Sequence, residues 1–451
     1  MFNKIARPFV TFVEKYYPDP LIFAILLTFI GFILAFIFTD ASFIGAVSEW
    51  GGGFKLLMAF TAQMAFTLVS SIALAHTKPV IKLLQKIADL PKTSKGCYAL
   101  AAFVAGVASL FTWALGLVVG AIISRHVQFR AQQKGIKLHF PLLVAAAYSG
   151  FVIWHMGYSG SAQLFVATAG HIFEGQIGII PVTETLLASY NILGAILCLI
   201  AVPAVVALME PKSNANLQEF DEATLEEVSK EINPPKEAPA QTWGERIERM
   251  RWISFLFALG LIIYLVWHFA TKGMDLNLNI VCASFLALGL LLADHPKHYV
   301  QLVTDAGKTV GQIILQYPIY ACLIGLMSGT GLAKVIAGWF ASFSTELTLP
   351  FFGFLSAGLL NIFIPSGGGQ WSVQGAVLIE AAQELGTNIP LIVNAVAYGD
   401  QWTNMVQPFW TIPILAIAGC KMRDMMGYTF VTLLVTFVIF TCMLFLGGAM
   451  T

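Results

Sequence analysis

The chain has 451 residues, of which 57% are hydrophobic and only 11% charged, and its formal net charge is zero. Water-soluble domains carry about a quarter charged residues, so much of this surface must meet lipid. With no basic excess there is no electrostatic footprint for nucleic acid, and six scattered cysteines without CxxC or Cys/His spacing indicate packing, with neither a metal site nor a disulfide framework.

The amphipathic, mildly basic start, MFNKIARPFVTFVEKYYPDP, leads into an apolar run of about twenty residues without a small-residue cleavage site, which reads as a retained first span. About twenty apolar residues cross a bilayer. Nine segments meet that need: 21–39, 54–75, 140–168, 187–209, 252–271, 276–293, 309–329, 388–418 and 425–448. Two further stretches, 97–124 and 350–379, have broken middles, and crossing twice would need roughly 40 residues. Lys78, Lys82, Lys86, Lys92 and Lys95 precede the first of them, and Arg125, Arg130, Lys134 and Lys137 follow it. Cytoplasmic loops concentrate Lys and Arg, so both flanks lie inside and the segment is a re-entrant hairpin.

The same rule orients the rest. Lys4, Arg7 and Lys15 place the N-terminus inside, and the loop 169–186, without Lys or Arg, falls outside. Lys212, Lys230, Lys236, Arg246, Arg249 and Arg251 put the loop 210–251 inside, as Lys297, Lys308, Lys421 and Arg423 do for later loops. Only Lys272 and Lys334 fall on the outer face. Nine crossings then leave the C-terminus outside, and the second hairpin enters from the outer face. The segment 210–251 is Glu-, Pro- and Ala-rich and reads as a solvated linker.

Residues 141–170 align without a gap to 390–419, with nine of thirty positions identical, including Pro141/Pro390, Gly150/Gly399, Met156/Met405 and Gly170/Gly419. Each half also runs through spans, an amphipathic stretch (78–90; 332–345), a hairpin, this segment and a final span. The expected fold is therefore an all-α polytopic membrane protein, with about nine transmembrane helices plus two re-entrant hairpins in two inverted repeats. The repeats cover 1–209 and 252–451, joined by 210–251. Carriers of this type place the substrate site near the midplane where the repeats meet.

Breaks in apolar segments mark that site, because lipid cannot satisfy loose backbone groups. The sharpest is Asn361-Ile-Phe-Ile-Pro365-Ser366-Gly367-Gly368-Gly369-Gln370-Trp371. Pro365 ends the incoming helix, and the glycines permit positive φ and an anion nest. Ser366 and Gln370 add donors, and the next helix aims its N-terminus at the same spot, which suits a carboxylate. In the first hairpin Trp113 is expected to wall the pocket and Gly116 to allow the turn.

The third break, Gly399-Asp400-Gln401-Trp402-Thr403-Asn404-Met405-Val406-Gln407-Pro408, holds the clearest acid within a span. Asp400 is a functional candidate for binding a cation, with Asn404 one turn on. The fourth, Trp154 to Gln163, contributes His155, Ser159 and Ser161. A hydrogen-bonded spectator role for His155 stands beside a titrating one. Gln63, Gln312 and Gln316 are accounted for by interhelical hydrogen bonding.

Taken together, YPDPLIFAILLTF (17–29), WALGLVVGA (113–121), YSGSAQL (158–164), NIFIPSGGGQW (361–371), YGDQWTNMVQPFW (398–410) and RDMMGY (423–428) resemble the bacterial short-chain fatty acid transporter family, nearly end to end. The resemblance implies uptake of monocarboxylates such as butyrate or acetoacetate. It also implies membership of a larger ion-transporter superfamily, a homodimer, and a mobile domain holding both hairpins that moves as an elevator in a bacterial-type plasma membrane. The Ser-Asn-Thr hairpin signature of sodium-coupled dicarboxylate carriers is absent from both tips.

The expected substrate-binding residues are Trp113, Gly116, Ser159, Ser161, Pro365, Ser366, Gly367, Gly368, Gly369, Gln370, Asn404 and Gln407. The expected coupling-cation residues, for H+ or Na+, are Asp400, Asn404 and His155. Trp113, Trp371, Phe409 and Trp410 are expected to limit chain length. A dicarboxylate or amino-acid substrate would call for a second buried cation, and no intramembrane Arg or Lys stands out. An enzyme would need a nucleophile–base set with an oriented third partner, which His155 and Ser159 lack.

Overall fold

The computed structural model describes residues 11, 15, 16, 18 and 20–450, except 212–216, 233–238, 274–277 and 309. The N-terminal stretch with Lys4 and Arg7, the linker residues Lys212 and Lys236, and the side chain of Gln312 lie outside the described residues. In chain order the helices are α1 Pro20–Phe38, α2 Phe43–Gly52, α3 Met58–Ala75, α4 Lys78–Ala88, α5 Ser94–Phe111, α6 Trp113–Gln133, α7 Phe140–Gly150, α8 Ser161–Val166, α9 Glu174–Ile177, α10 Ser189–Leu208 and α11 Glu222–Ile232. They continue as α12 Trp243–Glu248, α13 Arg251–Lys272, α14 Leu278–Leu292, α15 Pro296–Gly307, α16 Gly311–Gly329, α17 Leu332–Ser342, α18 Leu349–Asn361, α19 Gly367–Leu385, α20 Ile389–Thr403, α21 Thr411–Ala418 and α22 Met422–Met450.

The helices sort into two packed groups. One gathers α1–α3 with α13–α16; the other gathers α5–α8, α10 and α18–α22. The helices α4 and α17 connect them as arms. Each arm is bent sharply against the helix before it, by 77° at α3–α4 and 59° at α16–α17. The first bend falls at Thr77, ahead of Pro79 in the opening turn of α4. The second uses Gly331 at φ 78, a left-handed conformation that glycine adopts without a Cβ clash. The α4 arm buries Ile81, Leu84 and Ala88 at helical spacing and leaves its lysines on the other face.

Both expected hairpins are antiparallel helix pairs. In α5–α6 a Cβ on Gly116 would fall on the Ser109 side chain and one on Gly120 would touch Ala105, so positions paired about the Thr112–Trp113 link face each other. At its base the Lys134 ammonium donates to the Asp89 carbonyl, bringing both ends to one place. The turn is made by Thr112 in extended conformation. Gly116 therefore permits close helix contact and does not form the turn, which corrects its expected role. In α18–α19 the Gln370 amide donates to the Ala357 carbonyl at 2.7 Å, Gly353 packs toward Leu378, and Thr387 closes the base on the Glu346 carbonyl.

The sequence repeat has a packing counterpart. A Cβ on Gly150 would meet the Ala102 carbonyl at 2.3 Å, with Ala105 and Gly106 next; one on Gly399 would meet the Phe354 carbonyl at 2.3 Å, with Ala357 and Gly358 next. Each glycine thus lets a broken helix lie directly on the first helix of its hairpin, the small-residue contact that membrane helices use.

Among the described residues six helices are long and apolar enough to cross a membrane by length and composition, or up to eight if each bent pair is one span. The expected nine is not reached among them. The segment 388–418 is interrupted after Thr403, and α14 has 15 described residues. The linker also differs from a wholly solvated segment, since α11 lies against α4 and α6 and buries Val228 and Ile232.

Candidate functional site between the hairpin ends

Two interrupted segments run through the centre of the hairpin-bearing group. After α7 the chain tightens into a 3-10 turn, Phe151–Met156, then leaves helical geometry until α8. After α20 it is interrupted until α21. His155 and Asp400, one from each segment, are fully buried and face each other, Nε2 to Oδ1, at 3.2 Å.

The imidazole is held on every side. Its Nδ1 accepts the Ser161 backbone N–H at 3.1 Å, its own backbone N–H donates to Gln401 Oε1 at 3.0 Å, and its carbonyl accepts from Gln163 Nε2 at 3.1 Å. With Nδ1 occupied as an acceptor, the ring proton sits on Nε2 and donates to Asp400. His155 is therefore the neutral partner of the carboxyl group. Among the described residues Asp400 is the one buried acidic side chain, and no lysine or arginine is buried. A charge placed there is costly unless a proton or cation neutralises it.

Both hairpin ends reach this place. From the first, the Trp113 N–H donates to Ser159 Oγ at 3.0 Å, and the Leu110 carbonyl accepts the Tyr158 N–H at 2.7 Å. From the second, Gly367 lies so close that a Cβ would sit 2.3 Å from His155 Cε1 and 3.2 Å from Ser161 Cβ. The hairpin ends thus bracket the segment 155–161 from two sides. Asn361, ending α18, bonds the second interrupted segment through Nδ2, within 2.9 Å of the Asp400 carbonyl and of Asn404 Oδ1. Tyr148 OH donates to the Asn404 carbonyl at 2.7 Å.

Four expectations change in detail. Gly367, Gly368 and Gly369 form the first turn of α19 and do not take positive φ, so there is no left-handed nest. The glycine at 367 is required by the approach of His155. Ser366 spends its oxygen capping the Gly369 N–H, and Gln370 donates to Ala357, leaving its Oε1 as the atom without a protein partner. Pro365 stands four residues past the end of α18, inside the connection and not at the helix end. Trp371 packs edge-on to Phe173 in a separate apolar cluster, away from the Trp113–Trp410 pair, whose centroids are 5.2 Å apart.

Several buried polar atoms here have no protein hydrogen-bond partner: Asp400 Oδ2, Gln401 Nε2, Asn404 Nδ2 and Gln407 Nε2. Gln407 Oε1 accepts the Phe409 N–H at 2.9 Å, which leaves its amide nitrogen as the spare donor. An unmet buried polar group costs about 1–3 kcal/mol, and these donors stand alongside acceptor oxygens of Gln163, Asn361 and Gln370 that also lack a protein partner. His155, Asp400, Gln401, Asn404 and Gln407 are fully buried. A cleft of about 1220 Å³ lies elsewhere, between α3, α6, α11, α15 and the region 416–424.

Sequence reasoning passed over the network that supports these segments. Gln163 Nε2 donates to Asn394 Oδ1 at 3.0 Å, Asn394 Nδ2 reaches Tyr190 OH at 2.6 Å, and Asn191 Nδ2 donates to the Met156 carbonyl at 3.2 Å. Their one signal was amide side chains inside otherwise apolar runs.

Comparison with known proteins follows the same lines. A family model described as "Short chain fatty acid transporter" matches residues 1–446. A protein of Escherichia coli (strain K12), provisionally named a short-chain fatty acid transporter, is 39% identical over 98% of both chains. One of the same provisional name from Haemophilus influenzae (strain ATCC 51907 / DSM 11121 / KW20 / Rd) is 36% identical over 98% of both. Among solved structures, the Alcanivorax borkumensis YdaH transporter is similar at TM-score 0.47 and 16% identity, covering 96% of this chain and 98% of its own. Neisseria gonorrhoeae MtrF is similar at TM-score 0.45 and 13% identity, covering 97% of each.

Proposed function

The chain belongs to the short-chain fatty acid transporter family, and from that premise we propose that it carries a short-chain monocarboxylate together with a proton bound at Asp400. The observation that carries this reading is the meeting of both hairpin ends at His155–Ser161, beside a buried carboxyl group whose partner is a neutral imidazole. The substrate carboxylate would face the start of α19 and the spare amide donors of Gln401, Asn404 and Gln407. The aromatic rings of Trp113, Trp154 and Trp410, with centroids 5.2 and 5.3 Å apart along the row, would bound a short acyl chain.

A monoanion arriving beside an ionised Asp400 would put two negative charges in one dry site. Binding one proton with each monoanion removes that repulsion and moves no net charge. Membrane potential then supplies no drive, whereas one extra cation would gain about 2.3 kcal/mol per 100 mV. The lack of a buried Lys or Arg among the described residues speaks against a dicarboxylate.

Alternating access would follow from the hairpin-bearing group shifting against the other group on its two arms, as in an elevator. The sequence repeat and its matching glycine contacts support two repeats, and the charge distribution supports their inverted orientation, with the linker in the cytoplasm. A homodimer would cover part of the exposed apolar face of α13, which includes Phe255, Phe257 and Trp267.

Uptake of labelled butyrate into proteoliposomes, with pH and sodium gradients imposed separately, tests the reading. Accumulation under an inward proton gradient, unaffected by sodium, is the expected result. Uptake under neither gradient would refute it.

A further inference from the structure

The helix α11 is charged and short, sits in the hydrophilic linker, and has no role in the site described above. Yet it is anchored at three points. Val228 and Ile232 pack with Ile81 of the α4 arm and Phe129 of the first hairpin. Arg125, on α6 of that hairpin, reaches Glu231 at 2.8 Å and Glu227 at 3.4 Å, and only 12% of its side chain is exposed. The other oxygen of Glu231 lies 3.7 Å from His76 Nε2, at the end of α3, a contact that is an ion pair when the ring is protonated. The chain just before α11 is fixed too: Gln132 of α6 bonds both backbone groups of Phe220, whose ring packs on Phe140 at 4.6 Å.

The position of these contacts gives them meaning. The helix α3 belongs to the group with α14 and α15, whereas α6 belongs to the hairpin-bearing group. One carboxylate therefore touches both groups, and it does so at the wall of the 1220 Å³ cleft, which Glu227, Lys230 and Glu231 line together with Arg125, His76 and Asp305. Ion pairs of this kind at partly buried positions contribute more than exposed ones, because water and salt screen them less.

The geometry points to α11 as a latch across this cleft: Glu231 ties Arg125 of the hairpin to His76 of the other group, and it must let go before the two groups can move apart. The inference rests on the alternating-access reading above. It adds that the linker, beyond joining the two halves, sets how readily one conformation is left. The apolar contacts of Val228 and Ile232 keep α11 on the hairpin and its arm, so release is expected at the Glu231–His76 end.

Spin labels report this without reference to any substrate. In a chain with its native cysteines replaced by alanine, exposed Lys95 on α5 and exposed Thr304 on α15 are changed to cysteine and labelled, one on each group. Double electron–electron resonance in liposomes then gives the distance between the groups. The unmodified latch should show one dominant distance. Glu231→Gln and Arg125→Gln should each shift the ratio of the dominant to a second distance by roughly fivefold or more, and the pair together by no more than either alone. His76→Phe should shift the ratio as Glu231→Gln does, whereas His76→Arg, which keeps a cation facing that carboxylate, should keep the dominant distance, which excludes misfolding as the cause. Distributions that superimpose across all variants would overturn the latch. Redistribution in a protein that takes up no labelled butyrate would support the latch and count against the assigned substrate instead.

Discussion

His155 illustrates how a residue's role is set by what occupies its other edge. The Ser161 N–H on Nδ1 commits the ring to a neutral, Nε2-protonated state facing Asp400. Moving the ring breaks that arrangement, and Gly367 is what keeps the ring in place. A Gly367→Ala methyl would sit 2.3 Å from Cε1, so the imidazole must swing away. Transport should fall roughly 10- to 100-fold, and thermal unfolding in detergent should also move down, because the swing breaks the ring's buried bonds to Asp400 and the Ser161 N–H. Gly150→Ala and Gly399→Ala act on the backbone instead. Each methyl meets a backbone carbonyl at 2.3 Å, and each change should destabilise the protein by about 1–3 kcal/mol. Unequal thermal shifts for these two would argue against equivalent packing in the two halves.

At the scale of elements, the linker helix gives a pH prediction with a definite sign. Burial raises the pKa of Glu231, but the nearby His76 ring and the charge and hydrogen bond of Arg125 outweigh it, and the net shift is downward. Glu227 also faces Arg125, at 3.4 Å, and shares that cation. A carboxylate whose folded-state pKa is depressed contributes stability that is complete above its unfolded pKa and is lost as pH falls through the folded value. Hydrogen-exchange protection of 222–232 should therefore hold at neutral pH and decline on acidification below the ordinary carboxylate range. Protection that rises on acidification would contradict the assigned ion pairs. This element was not readable from sequence. Glu-rich composition and flanking prolines suggested solvation, and only the tertiary positions of Ile81, Phe129 and Arg125 give EATLEEVSKEI a surface to fold on. The first hairpin was readable, since an apolar run that breaks in the middle and is too short to cross twice must turn back when both its flanks are basic; the second, without basic flanks, followed only from its broken middle and the topology carried along the chain. The atomic cause at each tip was not: the glycines of PSGGG suggested positive φ, but whether a glycine serves a turn or the approach of another side chain depends on a residue about two hundred positions away.

For the whole molecule, the two arms and two hairpins surround His155 and Asp400, one from each interrupted segment. Asp400 was legible as an acid inside an apolar segment. Asn361, Gln401 and the Gln163–Asn394 pair, which hold the segments around it, were not, because single amides in apolar runs look alike until their partners are known. The proposed coupling stands on Asp400 carrying the proton, and the Asp400→Asn variant tests it most directly. In proteoliposomes this variant should still exchange labelled for unlabelled butyrate, because the site remains neutral and hydrogen-bonded, yet fail to accumulate butyrate under an imposed proton gradient. Proton-driven accumulation that survives the substitution would contradict it.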